Sequence, residues 1–174
     1  MYKAAADTSA LVSIGIAGLA EKCLEIAEIN VPEAVMEELE EISSYADEEG
    51  KAAKAVLGLV KNGKIIKSEV KDGGKVHKLL SKDVDKGEAE CFVLCIERGI
   101  KKLVMDDVDA GYSLQGLAKS EGIVIRISVA LIAELLKKNR LSKKEALEAV
   151  GKMAKAREWE GGVLEVLAGK YFSL

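Results

Sequence analysis

Short apolar runs alternate along the chain with longer stretches whose apolar positions recur at helical spacing. Tyr2 to Ala6 is short and mostly apolar and gives way to Asp7-Thr8-Ser9. That pattern predicts a small buried strand followed by a helix N-cap, because Asp, Thr and Ser side chains satisfy the free N–H groups of a helix start. Leu11, Val12, Ile14, Ile16 and Leu19 continue as one or two short helices, punctuated by Gly15 and Gly18. A second short strand is expected within Cys23–Ile29. Pro32 then fits the first turn of a helix carrying Val35, Met36, Leu39 and Ile42 on one face.

Glu48 to Lys61 predicts a second amphipathic helix, stopped by Asn62-Gly63, and Lys64 to Lys67 a strand. A turn is expected at Asp72-Gly73-Gly74 and a short helical stretch over Val76 to Leu80. A strong helix runs from Asp85 to Arg98 and stops at Gly99. Lys101 to Met105 reads as a strand, followed by the acidic turn Asp106-Asp107-Val108-Asp109, a helix through Leu117 and a strand over Ile123 to Ile127. From Val129 to Leu174 the pattern is mostly helical, restarting at a Ser142 cap. Strands alternating with helices predict an α/β fold, a parallel sheet with helices on both faces. Residues 1–127 would form its body, and residues 128–174 a helical extension packed on the same domain.

Composition narrows the class. At 174 residues, 49% hydrophobic and 32% charged, the chain can bury one sizeable core. Lys and Arg number 26 against 29 Asp and Glu, a net charge of −3, so wholesale electrostatic capture of nucleic acid is not signalled. Cys23, Cys91 and Cys95 are odd in number and lack C-x-x-C spacing, which points to free thiols in a reducing cytoplasm. An acid at position 7 interrupts any signal-peptide core, and no run approaches the ~18–20 apolar residues of a membrane span. A soluble cytoplasmic protein with no membrane partner is expected.

The chemistry lies in the acids. Ligands of open parallel sheets sit beyond the carboxyl ends of the strands. Asp7 follows the first strand, and Asp106 and Asp107 follow the strand ending at Met105. Glu88 lies in the first turn of the Asp85 helix, and Glu38 on the helix after Pro32. Clustered carboxylates repel one another, and hard divalent cations want oxygen ligands, so a metal is the natural counterpart. Each acid also has a plainer reading. Asp7 is a good N-cap; Asp85-Lys86-Gly87-Glu88 has capping-box spacing; Glu38 sits in an acidic run; Asp106-Asp107-Val108-Asp109 could be a turn and cap.

Four segments in order resemble the PIN-domain family: Ala5-Ala6-Asp7-Thr8-Ser9, Val31-Pro32-Glu33-Ala34-Val35-Met36-Glu37-Glu38, Gly87-Glu88-Ala89-Glu90, and Leu103-Val104-Met105-Asp106-Asp107-Val108-Asp109-Ala110. The resemblance covers roughly residues 3–127, and the helical tail looks like that of a subgroup with Gly-Glu and Asp-Asp motifs. It implies a parallel sheet between helices and cleavage of single-stranded RNA with Mg²⁺ or Mn²⁺. The acids it implies are Asp7, Glu38, Glu88 and Asp107, supplemented by Asp106, Asp109, Glu90, Thr8 and Ser9. It also implies a toxin of the VapC-like kind with an antitoxin protein as partner, and a homodimer. Two positions depart from the subgroup: Gly111 stands where an Arg is frequent, and Ile127-Ser128 where Gly-Thr is expected.

Other sites fit less well. A receiver-type phosphorylation domain would carry its acidic pair after the first strand, and an Asp-x-Asp phosphatase is ruled out by Ser9. A calcium loop from Asp106 would need oxygen ligands where Val108 and Ala110 stand. There is no phosphate loop, and His77 is the sole histidine, which makes a zinc site improbable. The remaining alternative is a PIN-like module that binds RNA or protein without cutting. Trp159, Val163, Leu164 and Leu167 in the tail would cover the core, form a dimer or receive a partner, core packing being the common outcome.

Overall fold

The computed structural model describes residues 1–159 and 161–172. Five strands, β1 (Tyr2–Ala6), β2 (Ala27–Val31), β3 (Ile66–Lys67), β4 (Lys102–Val104) and β5 (Val124–Arg126), form one sheet in the order β3-β2-β1-β4-β5. All four pairings are parallel. Between them run α1 (Thr8–Ile16), α2 (Ala20–Cys23), α3 (Glu33–Ser43), α4 (Glu48–Lys61), α5 (Gly73–Leu79), α6 (Lys86–Arg98) and α7 (Val108–Glu121). They are followed by α8 (Val129–Lys137), α9 (Lys143–Ala156) and α10 (Val163–Phe172).

This order places a topological switch at the centre. The chain leaves β1 toward β2 and β3, then returns to the other side of β1 for β4 and β5, so the connections after β1 and β4 diverge. A crevice opens where they part, at the carboxyl ends of the two strands. The register pairs Ala6 with Val104, and the Asp7 N–H donates to the Val104 carbonyl at 3.0 Å. Asp7 and the residues after β4 are therefore neighbours by backbone geometry. β1 ends in Ala4, Ala5 and Ala6, all fully buried, and such small side chains let helices approach the central strand closely on both faces.

Several boundaries fall away from the sequence expectation for identifiable reasons. The second strand begins at Ala27, because the Cys23 N–H is spent on the Leu19 carbonyl and Ala20–Cys23 winds into α2. Only Ile66 and Lys67 extend the sheet at β3; the N–H groups of Lys64 and Ile65 both turn back to the Leu59 carbonyl and finish α4. Asp72 caps α5 through the Lys75 N–H, so the expected turn is the helix start. Pro32 sits one place outside α3, at its N-cap.

Helices α8 and α9 join the same core as the sheet. Val129, Leu131, Ile132, Leu135, Ala146 and Met153 are buried within it, as is Trp159. Of the other tail residues, Leu164 and Leu167 are partly buried against the core and Val163 is exposed. No helix among the described residues is long and apolar enough to cross a membrane.

Two glycines of α4 make the packing testable. A Cβ at Gly50 would lie 2.0 Å from the Tyr45 carbonyl oxygen, whereas one at Gly58 would meet nothing within 4 Å. Gly50→Ala should destabilise the fold by about 1–3 kcal/mol through backbone overcrowding. Gly58→Ala should stabilise it by about 0.5–1 kcal/mol through helix propensity. Urea denaturation of the two variants should give shifts of opposite sign.

Candidate active site

Three acids at the crevice, Asp7, Glu88 and Asp107, are built in by a helix start. Asp7 has the extended backbone of an N-cap, and its Oδ1 accepts the Ala10 N–H of α1 at 2.8 Å. Its Oδ2 accepts the Ser9 hydroxyl at 2.8 Å. Ser9 Oγ in turn accepts the Asp106 N–H at 3.3 Å, so one hydroxyl ties Asp7 to the end of β4. Asp7 is only 3% exposed, and burial, reinforced by the neighbouring Asp106 and Glu88 charges, raises its pKa well above the carboxylate range.

Thr8 Oγ1 donates to Glu38 Oε2, drawing the mid-helix acid of α3 toward β1. Burial raises the Glu38 pKa, and the Thr8 hydrogen bond opposes that shift. Gly87 explains how Glu38 fits. A Cβ at position 87 would stand 2.5 Å from Glu38 Oε1, so this carboxylate occupies the space that glycine leaves at the start of α6.

Glu88 completes a capping box: its Oε2 accepts the Asp85 N–H at 2.9 Å, and Asp85 Oδ1 accepts the Glu88 N–H at 2.9 Å. It is 7% exposed, and its pKa is pushed up to about 7, chiefly by burial and then by the charges of Asp85, Asp107 and Glu38. Asp107 caps α7, Oδ1 accepting the Ala110 N–H at 2.8 Å, and lies exposed at the mouth of the site.

The structure gives the remaining expected residues other work. Asp106 is buried, with Oδ1 accepting the Ser128 N–H at 2.7 Å and Oδ2 the Ser128 hydroxyl at 2.8 Å, which fastens β4 to the start of α8. Glu90 turns away: its Oε2 accepts the Ala34 N–H at 2.9 Å, supplying to α3 the cap that Pro32 cannot. Asp109 sits exposed in the first turn of α7. The structure therefore brings Asp7, Glu38 and Glu88 together with Asp106 behind and Asp107 in front. Ser128 carries a role that the Ile127-Ser128 departure only marked as a position. Burial raises the pKa of Asp106, and the Ser128 hydrogen bonds and the charge of Arg157, at the C-cap of α9, oppose that shift; Arg157 has no signal in the sequence.

Among the described residues no three His, Cys, Asp or Glu side chains stand close enough to grip an ion as they are placed. The donors nevertheless suit a hard divalent cation. Glu38 Oε1, Glu88 Oε1 and Asp107 Oδ2 accept no hydrogen bond from the described residues, while the other oxygen of each carboxylate is anchored. Three helix N-termini, of α1, α6 and α7, face the cluster and temper its negative charge, since a helix start carries partial positive charge. A larger hollow of about 1010 Å³ beside Asp47 and Arg157 includes none of these acids in its lining.

A protein-family model described as a PIN domain matches residues 3–161. No curated protein and no solved structure matches the chain.

The raised Glu88 pKa sets a sign for stability against pH. A carboxyl raised in the folded state contributes stability that is full below its unfolded pKa and is lost as pH rises through its folded pKa. For Glu88 that window runs from 4.5 to about 7. Gln mimics the protonated form. In chelator-treated protein, Glu88→Gln should therefore gain stability relative to wild type as pH rises from 4.5 to 7.5, read from urea midpoints at each pH. A stability difference independent of pH would contradict the assignment.

Proposed function

The chain belongs to the PIN-domain family, whose members are typically nucleases that generally use divalent metals; on that premise we propose that it is an Mg²⁺- or Mn²⁺-dependent endoribonuclease acting on single-stranded RNA. One observation carries the reading: Asp7 and Asp107 flank the β1–β4 switch, Glu38 is held toward it by the Thr8 hydroxyl in the space that Gly87 leaves open, and Glu88 sits near them in the first turn of α6. In this reading residues 1–127 form the nuclease body and residues 128–174 its helical extension.

Asp7, Glu38, Glu88 and Asp107 would hold the cation. When bound, it supplies Lewis-acid polarisation of the scissile phosphate and lowers the pKa of the attacking water. The chain's own residues prepare the site. Thr8 Oγ1 and Ser9 Oγ hold the Glu38 and Asp7 carboxylates in fixed orientations. Asp85 N–H holds one oxygen of Glu88 and leaves the other without a hydrogen bond from the described residues. Asp106 positions Ser128 and, through its own N–H, Ser9. Burial raises the pKa of Asp7 and Glu88, which favours their protonated forms and limits repulsion among the acids; a bound cation would favour the ionised forms. The role of a toxin restrained by an antitoxin, a homodimeric state and a cytoplasmic setting belong to the same proposal and follow from the family resemblance.

A second reading, an RNA- or protein-binding module that does not cut, draws on one observation: the acids do not converge into a ready metal grip. Cleavage of a fluorescent single-stranded RNA in Mn²⁺, Mg²⁺ or EDTA separates the two. Wild type should cut only with a divalent cation, and Asp7→Asn should cut at least about a hundredfold more slowly. Metal-dependent cutting retained in Asp7→Asn would remove Asp7 from the site. Absence of cutting by wild type across several RNAs would favour the binding module.

A further inference from the structure

A groove of about 810 Å³ begins at Asp107 and runs beside α7. One wall is α7 itself, presenting Gly111, Tyr112, Gln115 and Lys119, and α10 supplies Val163, Leu167 and Tyr171, each four residues after the last. Its floor is the edge strand β5, with Val124, Ile125 and Arg126. The α7 wall is about 20 Å long at 1.5 Å per residue. None of these residues except Asp107 enters the acidic cluster.

We propose that this groove is the track for the single-stranded nucleic acid that reaches the acidic site, with Tyr112 as the platform on which a base stacks. The identity of the bound chain rests on the nuclease reading; the groove's affinity does not require cleavage. Continuity is the first argument. Asp107 caps α7, shares the field of Glu88 and is also a lining residue of the groove, so a chain seated there passes directly by the acids.

Charge is the second. The lining carries Lys119 and Arg126 against the single acid Asp107, in contrast to the all-acid cluster next to it. Neither cation forms a salt bridge among the described residues; Arg126 exerts longer-range pulls on Glu134 and on the Tyr2 hydroxyl. Both are therefore available to phosphates. Aromatic rings along a cationic groove are the recurring means of holding single strands without sequence preference.

The third argument is the shape of the rim. Tyr112 is 80% exposed, an unusual position for a ring beside an apolar floor. At its neighbour Gly111 an added Cβ would meet only Ile125, at 3.7 Å, so the ledge beside the ring is open rather than filled. Tyr112 would act as a binding residue for substrate, with no part in bond cleavage.

The test uses the full chain and a fluorescein-labelled single-stranded 12-mer RNA, with binding read by anisotropy in EDTA at low ionic strength, where no cutting occurs. Tyr112→Ala should weaken binding roughly tenfold, and Tyr112→Phe should stay within about twofold of wild type, since stacking needs the ring and not the hydroxyl. Tyr112→Ala should also raise KM more than it lowers kcat wherever cleavage is measurable. Unchanged affinity in Tyr112→Ala overturns the proposal while leaving the nuclease reading intact. So does an equal loss in Tyr112→Phe, or a wild type that does not bind. Ring-dependent binding without any metal-dependent cutting supports the groove and defeats the nuclease reading instead. If Tyr112→Ala leaves RNA affinity unchanged but converts a dimer to monomer in sedimentation velocity, the groove is a self-association face and the proposal fails.

Discussion

The buried carboxylate of Asp7 sets the terms for the structure around it. Burying an anion without compensation is expensive, and such a group survives by hydrogen bonding, by neighbouring charge or by taking up a proton. Here all three operate. The Ala10 N–H and Ser9 hydroxyl each occupy one oxygen, the start of α1 faces the charge, and the remaining penalty appears as a strongly raised pKa. Glu88 repeats the solution in its capping box, with a pKa of about 7. Assembling several such groups in one crevice brings no stability of its own, and a bound cation would offset their repulsion.

The fold concentrates these groups through a few inexpensive devices. Parallel pairing of β1 with β4 sets Asp7 beside the residues after Val104, and the fully buried alanines of β1 allow close helix approach. Gly87 gives space to Glu38. Asp106 faces away from the mouth of the site and grips Ser128, so the helical extension is hydrogen-bonded to the strand that delivers Asp107. Loss of that attachment would loosen the crevice and α8 together.

Much of this was legible in the chain because the same side chains serve two purposes. Asp7, Asp85-Glu88 and Asp107 announce helix starts by ordinary capping patterns, and the helices α4 and α6 fall where periodicity and the stops at Asn62 and Gly99 place them. Capping and site roles are compatible: Asp7, Glu88 and Asp107 each accept a helix-start N–H with one oxygen, while Glu38 caps nothing and is held by the Thr8 hydroxyl. What escaped the sequence is long-range. That Glu90 caps a helix 56 residues earlier depends on how α6 lies against α3. The start of β2 depends on one N–H in α2 choosing Leu19. Asp106 and Asp107 are adjacent and chemically alike, and only the position of Ser128 separates the anchored acid from the exposed one.

Burial favours the protonated forms of Asp7 and Glu88, and in the proposed site a divalent cation would take the place of those protons. Calorimetric titration of Mn²⁺ into metal-free protein at pH 6.5, repeated in buffers of different ionisation enthalpy, measures binding and the protons exchanged with it. The account predicts saturable binding with net release of protons, diminished in Glu88→Gln. Binding with no proton release, or no binding at all, would contradict it.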